Sequence, residues 1–224
     1  MTGSRRRGVR PRPAATIVLT RTGKTGREVL MGRRPRTMKF LPGKYVFPGG
    51  RVERDDARFR PEHLMPEPVA ARVGPRAQAL GLAAIRETFE ETGLVLGHPG
   101  APATPVPALW QPFVAAGFTP ALDRLRPVAR AITPVGVPMR FDTWFFVADV
   151  DGMDLTTLPL AHDVIEMEDI AWVTPEEAAT LDVLDVTQAV LDQVIERDVK
   201  GLDDMTAPIR FYRKRDRHFL IGTL

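Results

Sequence analysis

The segment Arg86-Glu87-Thr88-Phe89-Glu90-Glu91-Thr92-Gly93 constrains this chain more than any other. It predicts a helix from about Arg76 to Thr92, and Gly93 stands where a helix ends in a left-handed residue. At 100° per residue, Glu90 falls about 60° to one side of Glu87 and Glu91 about 40° to the other, so three carboxylates share an arc of roughly 100°. Like charges one turn apart cost a few tenths of a kcal/mol in water and more once water is excluded. A fold that packs this helix must leave the acidic face solvated or bring positive charge to it. A hard divalent cation such as Mg²⁺ or Mn²⁺ does the latter with oxygen ligands, and it can bridge onward to phosphate.

Composition narrows the choice of ligand. The 224 residues include no cysteine and four scattered histidines, so any bound metal is expected to sit on oxygen. Hydrophobic residues make up 44 %, enough for a sizeable core, and no apolar run approaches the roughly 18 to 20 residues that cross a bilayer. The net charge of +3 is carried by 26 Arg against 5 Lys. Guanidinium suits phosphate-bearing partners, but the excess is concentrated in Arg5, Arg6, Arg7, Arg10 and Arg12. No apolar stretch follows them as in a secretory signal, and Pro11 and Pro13 break an amphipathic transit helix. Residues 1–13 are therefore expected to be a flexible basic tail, on a cytoplasmic protein.

Residues 14–224 read as one mixed α/β domain. Thr16–Thr20 and Glu28–Arg33 form a hairpin around the turn Arg21–Gly26, and Tyr45–Phe47 is a short strand running into Pro48-Gly49-Gly50. Four prolines between 59 and 76 predict an irregular surface excursion. Residues 97–138 are punctuated by proline, with one short helix near Trp110–Ala116. Asp142–Val150 (DTWFFVADV) is apolar without alternation, as in a strand covered on both faces. Ile170–Val173 is a further strand leading into the capping box Thr174-Pro175-Glu176-Glu177. Val183, Val186, Val190, Leu191, Val194 and Ile195 then mark the packed face of a helix.

Phe47-Pro48-Gly49-Gly50 and Arg86-Glu87-x-x-Glu90-Glu91-x-Gly93, in that order, resemble the two halves of the Nudix box, G-x5-E-x7-R-E-U-x-E-E-x-G-U with U aliphatic. The resemblance implies the Nudix fold, an α/β (α+β) architecture with a mixed β-sheet sandwiched between helices, and a hydrolase that cleaves a diphosphate bond. Three features depart from the pattern. Asp56 stands where the family has Glu, 29 residues instead of 7 separate it from Arg86, and Thr88 fills the first aliphatic position. The added length, about 57–79, is an insertion in the motif's loop, where closure entropy grows slowly. A similarly interrupted box is known from a Nudix subfamily that includes coenzyme A and acyl-CoA diphosphatases. Val29-Leu30-Met31-Gly32-Arg33-Arg34-Pro35, followed by Lys39, Gly43 and Phe47-Pro48-Gly49-Gly50, is similar to the motif that CoA-directed members carry before the box, with Arg33 at its basic position. Arg140-Phe141-Asp142-Thr143 also resembles that subfamily.

On this resemblance, Glu87, Glu90 and Glu91 together with the Gly49 carbonyl would hold Mg²⁺ or Mn²⁺. The catalytic set would be Glu87, Glu90, Arg86 and a carboxylate from a later loop, Glu166 being preferred and Glu168 the alternative. Arg86 would orient Glu90 or Asp56. Arg33 and Lys39 would meet substrate phosphates, Arg140 a phosphate or ribose, and Phe141 would form an apolar wall for adenine or pantetheine. Trp110 and Trp172 read as packing residues. Leu64, Met65 and Val69 of the insertion are expected to overhang the metal site and line the substrate's non-reacting part. The expected partner is a small nucleoside-diphosphate substrate, coenzyme A or acyl-CoA first. ADP-sugars, dinucleotide polyphosphates or modified nucleotides are the alternative. A non-catalytic Nudix module that binds RNA or a regulatory ligand is the third reading, and three mutually repelling carboxylates count against it. Neither a specific nucleic acid nor a membrane is expected as partner, and a homodimer is compatible with the sequence.

Overall fold

The run DTWFFVADV becomes a central strand that is apolar on both faces because helices cover both. The structure, a computed structural model, describes residues 9–153, 155–159, 166–215 and 218–224. Its elements in chain order are β1 (Arg12–Thr22), β2 (Arg27–Arg33), β3 (Tyr45–Val46), β4 (Gly49–Arg51), α1 (Arg54–Arg58), α2 (Glu67–Val73), α3 (Ala77–Thr92) and β5 (Gly97–Pro99). After a 3₁₀ turn at Ala108–Trp110 come α4 (Gln111–Ala115) and β6 (Phe118–Pro120). A second 3₁₀ turn, Leu122–Arg124, leads to β7 (Arg126–Ile132), β8 (Phe141–Asp149), β9 (Glu168–Val173), α5 (Pro175–Ala178), α6 (Asp185–Lys200), β10 (Arg210–Arg215) and β11 (His218–Thr223).

Nine strands form one mixed sheet in the order β11-β10-β7-β8-β1-β2-β3, with β4 on β1 and β9 on β2. β1 is its hub. It pairs in parallel with β8 from Arg12 to Thr20, while its other edge is divided between β4 (Ala14–Thr16) and β2 (Thr20–Thr22). Side-chain alternation sorts the core into two layers. Ala15, Ile17, Leu19, Trp144 and Phe146 pack with Leu80, Ala84 and Ile85 of α3, and Val18, Phe145 and Val147 pack with Val190, Leu191 and Val194 of α6. The expected sandwich of a mixed sheet between helices is the observed one.

Several expectations need correction. β1 opens at Arg12, inside the stretch read as tail. Arg12 N donates to Arg140 O at 2.9 Å, and Pro13, which has no N–H, needs only to accept from Val52 N at 3.0 Å. Residues 1–8 lie outside the described residues. The proline-rich stretch 59–76 contains a helix, α2, because Pro68 falls in its first turn, where an N–H would be unpaired in any case. β7 carries Pro127 at a register shift with β8, which is how a proline enters a strand the sequence concealed. The insertion does not overhang a site. Phe59, Met65 and Val69 are buried in the core on the α3 side, and of the three apolar residues expected over the site, Leu64 alone is exposed. The histidines are also less scattered than they read, since the rings of His63 and His98 lie 4.1 Å apart.

Candidate active site

α3 ends where the sequence places its end, with Gly93 at φ 73° and its N–H donating to Phe89 O at 2.9 Å. The last two turns bring the acidic face against β4, where Gly50 allows the approach of α3 and Gly49 that of β1. A Cβ on Gly49 would stand 2.5 Å from Ala15 O and 2.6 Å from Thr16 Cα. One on Gly50 would meet the Glu87 carboxylate at 2.4 to 2.5 Å. The Gly49 N–H donates to Glu91 Oε2 at 2.8 Å.

Arg86, 4 % exposed, is the cation most deeply set in this cluster among the described residues. Its Nε and Nη2 donate to the two Asp56 carboxylate oxygens at 3.0 Å each. Nη1 donates to Glu90 Oε2 at 2.7 Å and lies 3.0 Å from Glu87 Oε1, and Nη2 also reaches Arg51 O at 3.0 Å. Asp56 is wholly buried and accepts two further bonds, from Glu53 N at 2.8 Å and Trp110 Nε1 at 3.1 Å. Asp56, which stands where the family pattern has Glu, is thus the buried counter-charge of Arg86. Burial alone would lower the Arg86 guanidinium, but its bonds to Asp56 and the charges of Glu87, Asp56 and Glu90 raise it.

Carboxylates outnumber cations here, and two of them are dry. Burial pushes Glu87 up to about 7, with repulsion from Glu90 and Glu166 adding to it against the pull of Arg86. Burial and the charge of Glu87 hold Glu91 well above the usual carboxylate range, against the Gly49 N–H and Arg34. Arg34 Nη1 is 3.8 Å from Glu91 Oε1, so Glu91 has weak compensation. Such a set of oxygen donors, crowded, under-neutralised and withdrawn from water, fits a hard divalent cation held by Glu87, Glu90 and Glu91.

The acidic face opens into a cavity of about 1040 Å³. Its walls are mostly apolar, from Phe40, Leu41, Val46, Phe47, Ile132, Val137, Met139, Phe141 and Phe145. Phe40 and Phe141 meet edge to face at 5.3 Å between centroids, and Leu41, also in the lining, is held at φ 53°, a left-handed conformation uncommon outside glycine. Arg34, Lys39, Arg51 and Arg213 supply cationic lining, and Glu166 stands on the wall with Glu87, Glu90 and Glu91.

Of the residues singled out in the sequence, Gly49, Arg86, Glu87, Glu90, Glu91, Glu166, Lys39 and Phe141 come together around this cavity. Arg33 and Arg140 do not. Arg33 pairs with Glu168 at 3.0 Å and Asp169 at 2.7 Å, because the register slips between Met31 and Arg33 where β2 meets β9. The same pairing takes Glu168 away from the cavity. Arg140 donates to the carbonyls of Thr133 and Val9, at 3.0 and 2.7 Å, and fastens the start of β8 to the segment just before β1. Of the acidic stretch 162–168, residues 162–165 lie outside the described residues. Arg34, Arg51, Tyr212 and Arg213 line the cavity without having been singled out. Only Arg34 had a signal, as the neighbour of Arg33 in the quoted motif.

A profile of the NUDIX domain matches residues 10–194. A Caenorhabditis elegans protein named as a nudix hydrolase is 31 % identical over 189 residues, which cover 74 % of this chain and 52 % of that protein. The protein named acyl-coenzyme A diphosphatase NUDT19 of Gallus gallus is 27 % identical over 212 residues, covering 67 % and 55 %. The chain spans about half the length of these curated relatives. Among solved structures, a NUDIX hydrolase from Alicyclobacillus acidocaldarius superposes with a TM-score of 0.67 at 32 % identity, covering 82 % of this chain and 90 % of that one.

Proposed function

This chain belongs to the NUDIX domain family, and from that premise we propose that it hydrolyses the diphosphate bond of a nucleoside-diphosphate derivative, with coenzyme A or an acyl-CoA as its substrate. The observation that carries the reading is the continuity of two environments. A crowded, half-dry cluster of carboxylates opens directly into a large cavity whose walls are mostly apolar. A sugar nucleotide has little use for such walls, whereas pantetheine and an acyl chain fill them. A relative carrying an acyl-CoA diphosphatase name is in keeping with this.

Mg²⁺ or Mn²⁺ held by Glu87, Glu90 and Glu91 would neutralise the diphosphate and acidify a bound water. The chain's own residues do the rest. Arg86, locked by Asp56, fixes the positions of Glu87 and Glu90. Glu166, on the cavity wall, accepts the proton of the attacking water. Lys39 and Arg34 hold the substrate's phosphates, and Phe141 with Phe40 borders the non-reacting part. Arg33 and Arg140 have no share in this.

The test is a hydrolysis screen in Mg²⁺ and in Mn²⁺ across coenzyme A, acyl-CoA esters, ADP-ribose and nucleoside triphosphates, run beside Glu91→Gln. CoA esters should be cleaved, and Glu91→Gln should lose at least a hundredfold in rate with its circular dichroism unchanged. Cleavage of ADP-ribose with every CoA ester left intact would overturn the substrate assignment. Near-native turnover by Glu91→Gln would overturn the assignment of the site.

A further inference from the structure

Away from the cavity, three side chains from three parts of the chain converge. His63 lies in the insertion between the buried Phe59 and Met65, His98 lies in β5, and Asp123 lies in the 3₁₀ turn that buries Leu122. His98 Nε2 stands 2.8 Å from Asp123 Oδ1, and one donor atom from each of the three falls within 4.8 Å of the other two. None of the three lines the cavity. We propose that they form a second metal site, one for a borderline divalent ion of the Zn²⁺ type, which fastens the insertion to β5 and the 3₁₀ turn.

The donor set decides the metal. Two imidazoles and a carboxylate match Zn²⁺, with water completing a tetrahedron, whereas Mg²⁺ and Mn²⁺ favour oxygen and select the α3 face. With bonds of about 2.0 to 2.1 Å, neighbouring ligands of a tetrahedral site stand roughly 3.3 Å apart. The His98 to Asp123 separation must therefore widen slightly and the longest separation contract by at most about 1.5 Å. His63 is exposed and can turn to do this. The backbones behind the donors are already fixed. Met65 exchanges two hydrogen bonds with the Gln78 amide, at 3.0 and 3.1 Å, Thr104 Oγ1 donates to Arg60 O at 2.7 Å, and His98 is paired with Thr119 of β6. Little ordering is left for the ion to impose, which favours binding.

The experiment uses the untagged full chain, stripped with a chelator and titrated with Co²⁺ and then Zn²⁺, alongside His63→Ala, Asp123→Asn and Glu91→Gln. Four-coordinate cobalt with nitrogen ligands should give intense visible bands that Zn²⁺ abolishes. Zinc at a hundredfold over its Kd should raise the melting temperature by about 5 to 10 °C. His63→Ala, an exposed change that leaves the fold intact, should weaken binding at least tenfold, as should Asp123→Asn, while Glu91→Gln should keep the spectrum. A titration of His63→Ala that superimposes on wild type overturns the proposal. So do cobalt bands that vanish in Glu91→Gln and persist in His63→Ala, because the ion then sits on α3.

Discussion

Asp56→Asn keeps the outline of the side chain and removes its charge from a site with no exposure. The carboxylate accepts four hydrogen bonds, two from Arg86, one from the Glu53 N–H and one from Trp110 Nε1. A carboxamide presents one acceptor oxygen, and its NH₂ must face a donor, so at least one of the two bonds to Arg86 becomes a repulsion. Breaking a buried ion pair by removing one partner costs about 3 to 5 kcal/mol. Arg86 keeps Glu87 and Glu90, which places this loss near the lower bound, about 3 kcal/mol. For a chain of this size each kcal/mol moves the melting temperature by roughly 2 to 4 °C, so a fall of about 6 to 12 °C is expected by scanning fluorimetry, with a matching shift of the urea midpoint. Asp56→Glu restores the family residue yet should also destabilise, by about 1 to 3 kcal/mol, since an added methylene has no room there. A melting temperature for Asp56→Asn within roughly 2 °C of wild type would refute the argument that Arg86 depends on this one charge.

Stability of the chelator-treated protein should fall as pH rises from 5 to 8. Glu87 is pushed up to about 7 in the fold and Glu91 is also raised, so the folded state binds more protons than the unfolded one in this range. The stabilisation is complete below the ordinary glutamate value and is lost through about 7, roughly 3 kcal/mol for Glu87 alone. Asp151 and Asp204 are lowered and act only below about 4. A melting temperature that climbs between pH 5 and 8 would contradict this. In the hydrolysis assay, Lys39→Ala should lower kcat/KM for CoA about tenfold or more, while Arg33→Ala should leave it unchanged, and equal losses would return Arg33 to the substrate. Met65→Ala opens a cavity in the core and should cost about 2 to 5 kcal/mol by urea denaturation with substrate preference intact. A changed preference without a stability loss would place the insertion over the site after all.

What was legible in the sequence is what local chemistry decides. The end of α3 at Gly93, the capping box at Thr174, whose two reciprocal bonds measure 2.8 and 3.2 Å, and the two-sided burial of DTWFFVADV each follow from one short segment. The convergence of Glu87, Glu90 and Glu91 followed from helical spacing alone. What was hidden depends on partners distant in the chain. The slip between β2 and β9 reverses which of two adjacent arginines reaches the cavity. Pro127 and Pro68 argue locally against regular structure and are tolerated because of where their missing N–H falls. His63 and His98 meet only because the insertion folds down onto β5.

The pairing of β1 with β8 also governs how the chain must be made. Arg12 is joined to Phe141, about 130 residues later, and the other eight rungs of that ladder are as remote. A ribosome adding about 5 to 20 residues per second leaves β1 waiting roughly 7 to 26 s for this neighbour. β2, β4 and α3 all emerge before β8 and can reach β1 in that interval, so what stays open is the β1 edge that β8 will pair. Non-local pairing of this kind is slow and exposes sticky edges. The β1–β8 ladder is therefore the last of the β1 pairings whose partner strand leaves the ribosome, after the partners β2 and β4.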